Sequence, residues 1–301
     1  MITEIIEKIQ LRLPPNRDWT RQKQTEPPTY GWAKRVGQDV LDGEIAKRRQ
    51  ACKDILERGQ AIRPYVPGKV AVIILSCCRW DPLQRLVESL RQFLEKVESY
   101  ALLEKILVDN GSGPDLVKRA QGLAFFDTVV AHDRNLGLVG AMRDIYRRTD
   151  AEYIIFIEDD FILEYDKPFL KRLIRLFEEY PEIGIIRLKD QNNWWKPHRV
   201  IAPLRETSDG TAFWTWLPSR DGMLNGWAAG SVMFRKVSYF SVGELPEAEE
   251  NVSRDNKLHQ GVIYEYMYGK RFNAQWLAAK VKDGCVFVQP NDFAPSQGWG
   301  R

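Results

Sequence analysis

The chain has 301 residues, a length that suits one large domain or one domain with an appendage. Hydrophobic residues make up 44% and charged residues 28%, as in an ordinary soluble protein. No apolar run approaches the roughly 20 residues that a membrane helix needs. The 44 basic and 41 acidic side chains leave a net charge of only +3, which excludes a strong overall field for nucleic acid or an anionic membrane. The N-terminus, MITEIIEKIQLRL, is broken by acids and is unlike a signal peptide, so we predict a cytoplasmic protein.

Residues 1–68 are predicted to form a helical N-terminal extension. Ile2 to Leu13 suits a short amphipathic helix, and a stretch from about Trp32 to Arg58 suits a second one, with a polar, proline-containing loop between them. The breaker Tyr65-Val66-Pro67-Gly68 predicts the start of the main domain, residues 69–301. The sequence leaves open whether the extension packs on the main domain, mediates self-association or contacts an acceptor.

From Lys69 onward, apolar strands alternate with helices. The predicted strands are Val70 to Leu75, Lys105 to Val108, Thr128 to Ala131, Tyr153 to Ile157 and Ile183 to Leu188. The predicted helices include Asp81 to Val97, Leu138 to Arg148 and Lys167 to Glu179. This alternation predicts an α/β fold with a mostly parallel sheet sandwiched by helices. Ligands of such sheets bind at the carboxyl ends of the strands, so the residues that follow the strands are the candidates for a site.

Polar residues follow three of these strands. Ser76-Cys77-Cys78-Arg79 follows the first, Asp109-Asn110-Gly111 the second and Glu158-Asp159-Asp160 the fourth. Three consecutive acids after an apolar run are electrostatically costly unless positive charge lies beside them, and a hard divalent cation with oxygen ligands meets that need. If the cation also binds a diphosphate, it neutralises charge on the leaving group. The alternatives are a solvated acidic turn for the triplet and a simple tight turn at Asp109.

Four segments resemble the GT-A glycosyltransferases, particularly the inverting family 2. They are VAVIILSCCRWDPLQRLVESL, KILVDNGSG, RNLGLVGAMRD and YIIFIEDDFIL, in the family's order and approximate spacing, and the likeness covers about residues 69 to 290. The EDD form of the family's DxD motif is similar to that of the N-acetylglucosaminyltransferase I group. The resemblance implies a GT-A fold, with a nucleotide-sugar-binding half at 69–165 and an acceptor-binding half at 166–301.

The resemblance also implies the roles around the triplet. Asp160 would bind Mn²⁺ or Mg²⁺ directly, while Glu158 and Asp159 would contact ribose, donor sugar or metal-bound water. Asp109 would hydrogen-bond the nucleobase, which suits uracil or thymine and favours a UDP-sugar donor, although the fold accepts guanine and cytosine donors too.

Further donor-side residues follow from the same resemblance. The turn from Ser76 to Arg79 would line the base and ribose, and Asn135 belongs to a stretch similar to the family's NxGxxxA segment. Arg143 stands where many family members have asparagine and is assigned to the donor sugar or phosphate. A surface position on a helix is the alternative for Arg143.

The acceptor side is assigned from a small-residue segment. Trp227, Gly230 and Ser231 resemble the segment that family 2 enzymes place under the acceptor, and an indole face stacks well on a sugar ring. Core packing is the alternative for every tryptophan of this region.

An inverting transfer needs a base to take the acceptor hydroxyl proton. The family's Glu-Asp pair has become Glu250-Asn251, so we assign the base to Glu250, with Asp255 and Glu249 as further candidates. A charged first turn of a helix is the alternative for these acids. His259 is the only nearby imidazole, and a packed or surface histidine is favoured over a metal ligand.

We therefore expect a metal-dependent inverting glycosyltransferase that moves a sugar from a nucleotide sugar to a hydroxyl of a carbohydrate or another acceptor. One alternative is a nucleotidyltransferase, although Ser76 to Asp81 is not the glycine-rich basic loop of that class. The other is a non-catalytic carbohydrate-binding protein. The sequence does not indicate a nucleic acid acceptor or an oligomeric state.

Overall fold

The computed structural model describes residues 34–188, 200–218, 226–227, 230–246, 267–282 and 287–288. The strands in these ranges are β1 (Lys34–Arg35), β2 (Val66–Ser76), β3 (Leu103–Asp109), β4 (Thr128–Ala131), β5 (Ala151–Glu158), β6 (Ile162–Leu163), β7 (Ile183–Arg187), β8 (Val200–Glu206), β9 (Ala212–Leu217), β10 (Val232–Arg235), β11 (Leu277–Val281) and β12 (Phe287–Val288). The helices are α1 (Gln38–Glu57), α2 (Gly59–Ile62), α3 (Trp80–Lys96), α4 (Pro114–Gly122), α5 (Gly137–Arg148), α6 (Leu170–Glu179) and α7 (Lys236–Ser241), and residues 267–275 are also helical.

Ten of these strands form one sheet in the order β1-β8-β9-β11-β7-β10-β5-β2-β3-β4. The neighbours β5, β2, β3 and β4 all run parallel. Strand β10 lies antiparallel between β5 and β7, and β6 pairs with β12 in a separate two-stranded sheet. Crossover helices connect the parallel strands, as strands of this pairing require. The predicted α/β class with a mostly parallel sheet is confirmed.

The side chains of strand β2 are buried on both faces of the sheet. Its residues Val70, Val72 and Ile74 pack in one hydrophobic cluster, whereas Ala71, Ile73 and Leu75 pack in a second. Successive side chains of a strand point to opposite faces, so the two clusters lie on opposite sides of the sheet. The first cluster contains buried residues of α3 and α6, and the second contains residues of α5 and α7. A continuous apolar run is therefore buried on both faces.

The start of β2 differs from the prediction. The segment Tyr65 to Gly68 was expected to break the chain, yet the strand begins at Val66. The backbone N–H of Val66 donates to the carbonyl oxygen of Asp150 at 2.7 Å, and that of Gly68 donates to Oε2 of Glu152 at 2.7 Å. The register with β5 shifts between Val66 and Val70. Because of this irregularity, the strand can contain Pro67 and Gly68 and still pair with β5.

The described part of the predicted extension packs on elements from the second half of the chain. Leu41, Ile45 and Cys52 of α1 are buried, and Nη2 of Arg48 donates to the carbonyl oxygen of Asn273 at 3.0 Å. Strand β1 pairs in parallel with β8. Among the three options that the sequence left open, these contacts favour packing on the main domain. The predicted helix at Ile2 to Leu13 lies outside the described residues.

A buried ion cluster anchors α1. The carboxylate of Glu182 is fully buried, and it lies 3.1 Å from Nη2 of Arg49 and 2.9 Å from Nη2 of Arg205. Removing one member of a buried ion pair leaves charge without compensation, which costs about 3 kcal/mol or more.

We therefore expect Glu182→Ala to lower the free energy of unfolding by about 3 kcal/mol, measured by urea denaturation. The matched control is Glu178→Ala, because Glu178 pairs with Arg175 at an exposed position. An exposed pair contributes under about 1 kcal/mol. Equal unfolding midpoints for the two variants would contradict the anchoring role of Glu182.

Candidate functional site

The register of three parallel strands brings the predicted donor-side turns together. Ser76 pairs with Asp109 across β2 and β3, and Leu75 pairs with Glu158 across β2 and β5. The backbone N–H of Asn110 donates to the carbonyl oxygen of Ser76 at 2.8 Å. The turns after β2, β3 and β5 therefore lie side by side at one edge of the sheet, where ligands of such sheets bind.

Asp159 is the fixed member of the acidic triplet. Its side chain is buried, Ser76 Oγ donates to its Oδ2 at 2.7 Å, and Arg79 Nη1 lies 3.1 Å from its Oδ1. Burial raises the pKa of Asp159 to about 6, against the opposing effect of Arg79 and Ser76. Both carboxylate oxygens are engaged within the protein, so this residue holds the turn in place.

Asp160 and Glu158 flank this anchor and are both partly exposed. Oδ2 of Asp160 lies 3.5 Å from Nη1 of Arg79, so the positively charged guanidinium of Arg79 lies beside this carboxylate. Glu158 lies close to Gly230, where a Cβ atom would come within 2.9 Å of Oε1 of Glu158. Gly230 also has a φ of +83°, a conformation that favours glycine. The structure thus brings the predicted small-residue segment next to the first acid of the triplet.

Ser231 continues this segment. Its side chain is buried, and its carbonyl oxygen accepts a hydrogen bond from the backbone N–H of Leu188 at 2.8 Å. This contact ties the segment to the residue that follows β7. Ser231 is therefore placed by the sheet, directly beside Gly230 and Glu158.

Asp109 is buried with one oxygen in use. Its Oδ2 accepts a hydrogen bond from the backbone N–H of Ser112 at 3.1 Å. Its Oδ1 is also buried and has no hydrogen-bond partner within the part of the chain that the structure describes. Such an oxygen forfeits its hydration on burial, and a ligand N–H would restore a partner.

The cysteine turn after β2 lies against the turn after β3. Cys78 has a φ of 57°, and its backbone N–H donates to Oγ of Ser112 at 2.7 Å. Burial, then the Cys78 thiol and the carboxylates of Asp109 and Asp159, raises the pKa of the Cys77 thiol to about 12. The main cause is burial, and the neighbouring carboxylates add to it.

Asn110 is a site residue that the sequence interpretation treated only as part of a turn. Its Nδ2 donates to Oδ1 of Asn135 at 2.9 Å, and its Oδ1 accepts the backbone N–H of Leu136 at 2.9 Å. A Cβ atom at Gly111 would lie 2.4 Å from the backbone nitrogen of Asn135. The two loops therefore pack closely, and Asn135 both accepts from Asn110 and caps the backbone N–H of Gly137 at 2.7 Å. The Asp-Asn-Gly sequence predicts a turn, but it does not predict the contact of Asn110 with the loop at Asn135.

Arg143 is half-buried on α5. Its Nε lies 3.8 Å from Oε2 of Glu244, and Arg147 Nη2 lies 2.6 Å from the same oxygen. The predicted donor contact of Arg143 stays a prediction, and Glu244 is a neighbour that the sequence did not reveal.

Trp227 is placed differently from the expectation. Its side chain is only 5% exposed, and its ring packs among Phe234 (4.9 Å between centroids), Tyr268 (4.9 Å), Tyr239 (5.4 Å) and Phe272 (5.5 Å). An indole enclosed in this way presents no open face for a sugar ring. The structure therefore favours the core-packing alternative for Trp227, and also for Trp214 and Trp216, which are buried too.

The predicted base candidates Glu249, Glu250 and Asp255, as well as His259, lie outside the described residues. Within the described ranges, no group of three or more His, Cys, Asp or Glu side chains is arranged to hold a metal ion. Asp160 as a metal ligand thus stays a prediction. No helix in these ranges is both long enough and apolar enough to cross a bilayer.

Of two solved structures that are similar to this chain, the first shows the same fold. S. aureus TarS residues 1–349 in complex with UDP-GlcNAc has a TM-score of 0.50 and 13% identity, over 75% of this chain and 60% of that chain. The mannosyltransferase PcManGT from Pyrobaculum calidifontis, in complex with GDP-Man and Mn²⁺, has a TM-score of 0.45 and 15% identity, over 86% of this chain and 67% of that one. The chain thus spans about three fifths of the TarS chain that it matches.

Sequence comparison gives the family. No curated protein sequence matches the chain. A family model described as glycosyl transferase family 2 matches residues 71–237, which is more than half of the 301 residues. The match begins within β2 and includes β3 to β5, the acidic triplet and the small-residue segment, so this chain belongs to glycosyl transferase family 2.

Proposed function

We propose that this protein is a glycosyltransferase that transfers a sugar from a nucleotide-sugar donor to a hydroxyl of a carbohydrate or another acceptor, with inversion at the anomeric carbon. The observation that carries the proposal is the buried Oδ1 of Asp109, without a hydrogen-bond partner among the described residues, beside the acidic triplet at the same sheet edge. Membership of glycosyl transferase family 2 supports it.

The nucleobase is assigned to Asp109. A carboxylate oxygen accepts hydrogen bonds only, so its partner must present an N–H or O–H group. Uracil offers a ring N–H that a carboxylate of this kind can accept, and hydrogen bonds to charged groups contribute about 1.5–3 kcal/mol. We therefore favour a UDP-sugar, with the Ser76 to Arg79 turn and Asn135 around the base and ribose.

We assign the divalent cation to the residues at the end of β5. Their carboxylate oxygens are the hard ligands that Mg²⁺ and Mn²⁺ prefer, and their contacts with the Arg79 guanidinium support a position that favours positive charge. Asp160 would hold the cation, while Asp159 stays bound to Ser76 and Glu158 faces the donor sugar. A bound cation would supply charge neutralisation of the diphosphate leaving group.

The transfer itself needs a base on the acceptor side. We assign Glu250 to accept the proton of the acceptor hydroxyl while its oxygen attacks the anomeric carbon on the face opposite the diphosphate. Gly230 and Ser231 would line the acceptor site beside Glu158. A side chain at position 230 would collide with the carboxylate of Glu158. The similarity of the EDD triplet to that of the N-acetylglucosaminyltransferase I group stays a prediction.

The donor is tested by thermal shift with UDP-GlcNAc, GDP-Man and dTDP- and CMP-sugars, each with Mn²⁺ and with EDTA. We expect UDP-sugars with Mn²⁺ to stabilise the protein most, by about 2.7 kcal/mol at a hundredfold excess over Kd. Asp109→Ala should reduce this stabilisation by about half or more, whereas Asp115→Ala, at an exposed position on α4, should retain it. Absence of stabilisation by every nucleotide sugar would overturn the proposed function.

The base is tested with Glu250→Gln. The amide cannot take a proton, so we expect release of UDP from the UDP-sugar to slow by about 10²- to 10⁴-fold while donor affinity stays unchanged. Glu249→Gln and Asp255→Asn are the matched variants, and both should keep most of the rate. If Glu250→Gln keeps the wild-type rate and one of the others loses it, the base is that other residue.

A further inference from the structure

Arg79 occupies the side of the acidic triplet where the cation is proposed. Its Nη1 lies 3.1 Å from Oδ1 of Asp159 and 3.5 Å from Oδ2 of Asp160, so one guanidinium nitrogen bridges both carboxylates. Only 14% of the Arg79 side chain is exposed. In the structure described here, the positive charge that compensates these two acids is therefore the protein's own.

The backbone around Arg79 is held in place. Arg79 is the residue before α3, and its carbonyl oxygen accepts the backbone N–H of Leu83 at 3.3 Å. The preceding residue, Cys78, is held by the hydrogen bond from its backbone N–H to Oγ of Ser112. On the carboxylate side, Ser76 fixes Asp159. The guanidinium is thus directed at Asp160 from a fixed position, unlike a mobile surface arginine.

We propose that Arg79 is an internal counter-ion that competes with the divalent cation for Asp160, so that metal binds tightly only together with the donor diphosphate. A cation held by Asp160 would lie within a few ångström of the guanidinium, because Nη1 is already 3.5 Å from the carboxylate oxygen. Two positive charges at such a distance repel each other. The diphosphate supplies the negative charge that both need.

This mechanism makes metal and donor binding cooperative. If the donor increases the affinity for the metal, the metal increases the affinity for the donor by the same factor. Arg79 is a positioning residue that determines how strongly metal and donor increase each other's affinity. The inference rests on the proposed function, since it presupposes a divalent cation at Asp160 and a donor diphosphate.

The test is calorimetric titration of Mn²⁺ into the protein without nucleotide. We expect Arg79→Gln and Arg79→Met to bind Mn²⁺ at least tenfold more tightly than the wild type, because each removes the competing charge. Arg85→Gln is the matched control, since it removes the same charge six positions further along α3, and its Mn²⁺ affinity should equal that of the wild type. Adding Asp160→Asn to Arg79→Gln should remove the gained affinity.

A second measurement uses the wild type alone. UDP affinity is determined at saturating Mn²⁺ and in EDTA, and the ratio of the two should be at least tenfold; in Arg79→Gln it should be smaller. The inference is overturned if neither neutral variant tightens Mn²⁺ binding, or if wild-type UDP affinity does not depend on Mn²⁺. If nucleotide sugars bind but Arg79 has no effect on Mn²⁺ affinity, only the inference about Arg79 fails. If no nucleotide sugar binds under any condition, the proposed function fails as well.

Discussion

The parallel pairing of β2 with β3 and β5 determines where the donor-side residues meet. Because Ser76 is in register with Asp109 and Leu75 with Glu158, the polar turns begin at the same height of the sheet. A slip of one residue would turn Ser76 to the other face and break its hydrogen bond to Asp159. The alternating burial of β2 in two hydrophobic clusters excludes such a slip, so packing of the core fixes the geometry of the site.

The cost of this arrangement is a concentration of negative charge. Asp109 and Asp159 are both buried, and the raised pKa values of Asp159 and Cys77 have burial as their main cause. Ser76 and Arg79 offset part of that cost at Asp159, whereas Oδ1 of Asp109 has no partner among the described residues. Buried polar groups without partners are uncommon in folded proteins. The unpartnered carboxylate oxygen of Asp109, at the same sheet edge as the triplet, therefore supports a ligand at this edge.

Short-range patterns predicted the strands and helices of residues 69–165 well. Strand β4 has the predicted bounds, and β5 and α5 differ from the prediction by one or two residues, because apolar runs and amphipathic periods are local properties. The start of β2 was wrong because the irregularity between Val66 and Val70 depends on pairing with β5, which lies far away in the sequence.

The surroundings of the predicted acceptor residues were harder to predict because they depend on contacts between residues that are distant in the sequence. A tryptophan suits both a core and a sugar platform, and only the rings of Tyr268 and Phe272, about 40 residues away in the sequence, show that Trp227 is enclosed. Likewise, the bridge from Arg79 to Asp159 and Asp160 joins residues about 80 positions apart. Neither contact leaves a local sequence pattern.

We propose that Asp109 receives the base of a nucleotide sugar at the edge formed by β2, β3 and β5. The most direct measurement is a crystal structure of the protein with UDP and Mn²⁺. We expect the ring nitrogen of uracil to lie within hydrogen-bond distance of Oδ1 of Asp109, about 2.7–3.2 Å, with the diphosphate directed towards Asp160. A uracil bound elsewhere, with Oδ1 of Asp109 still unpartnered, would contradict it.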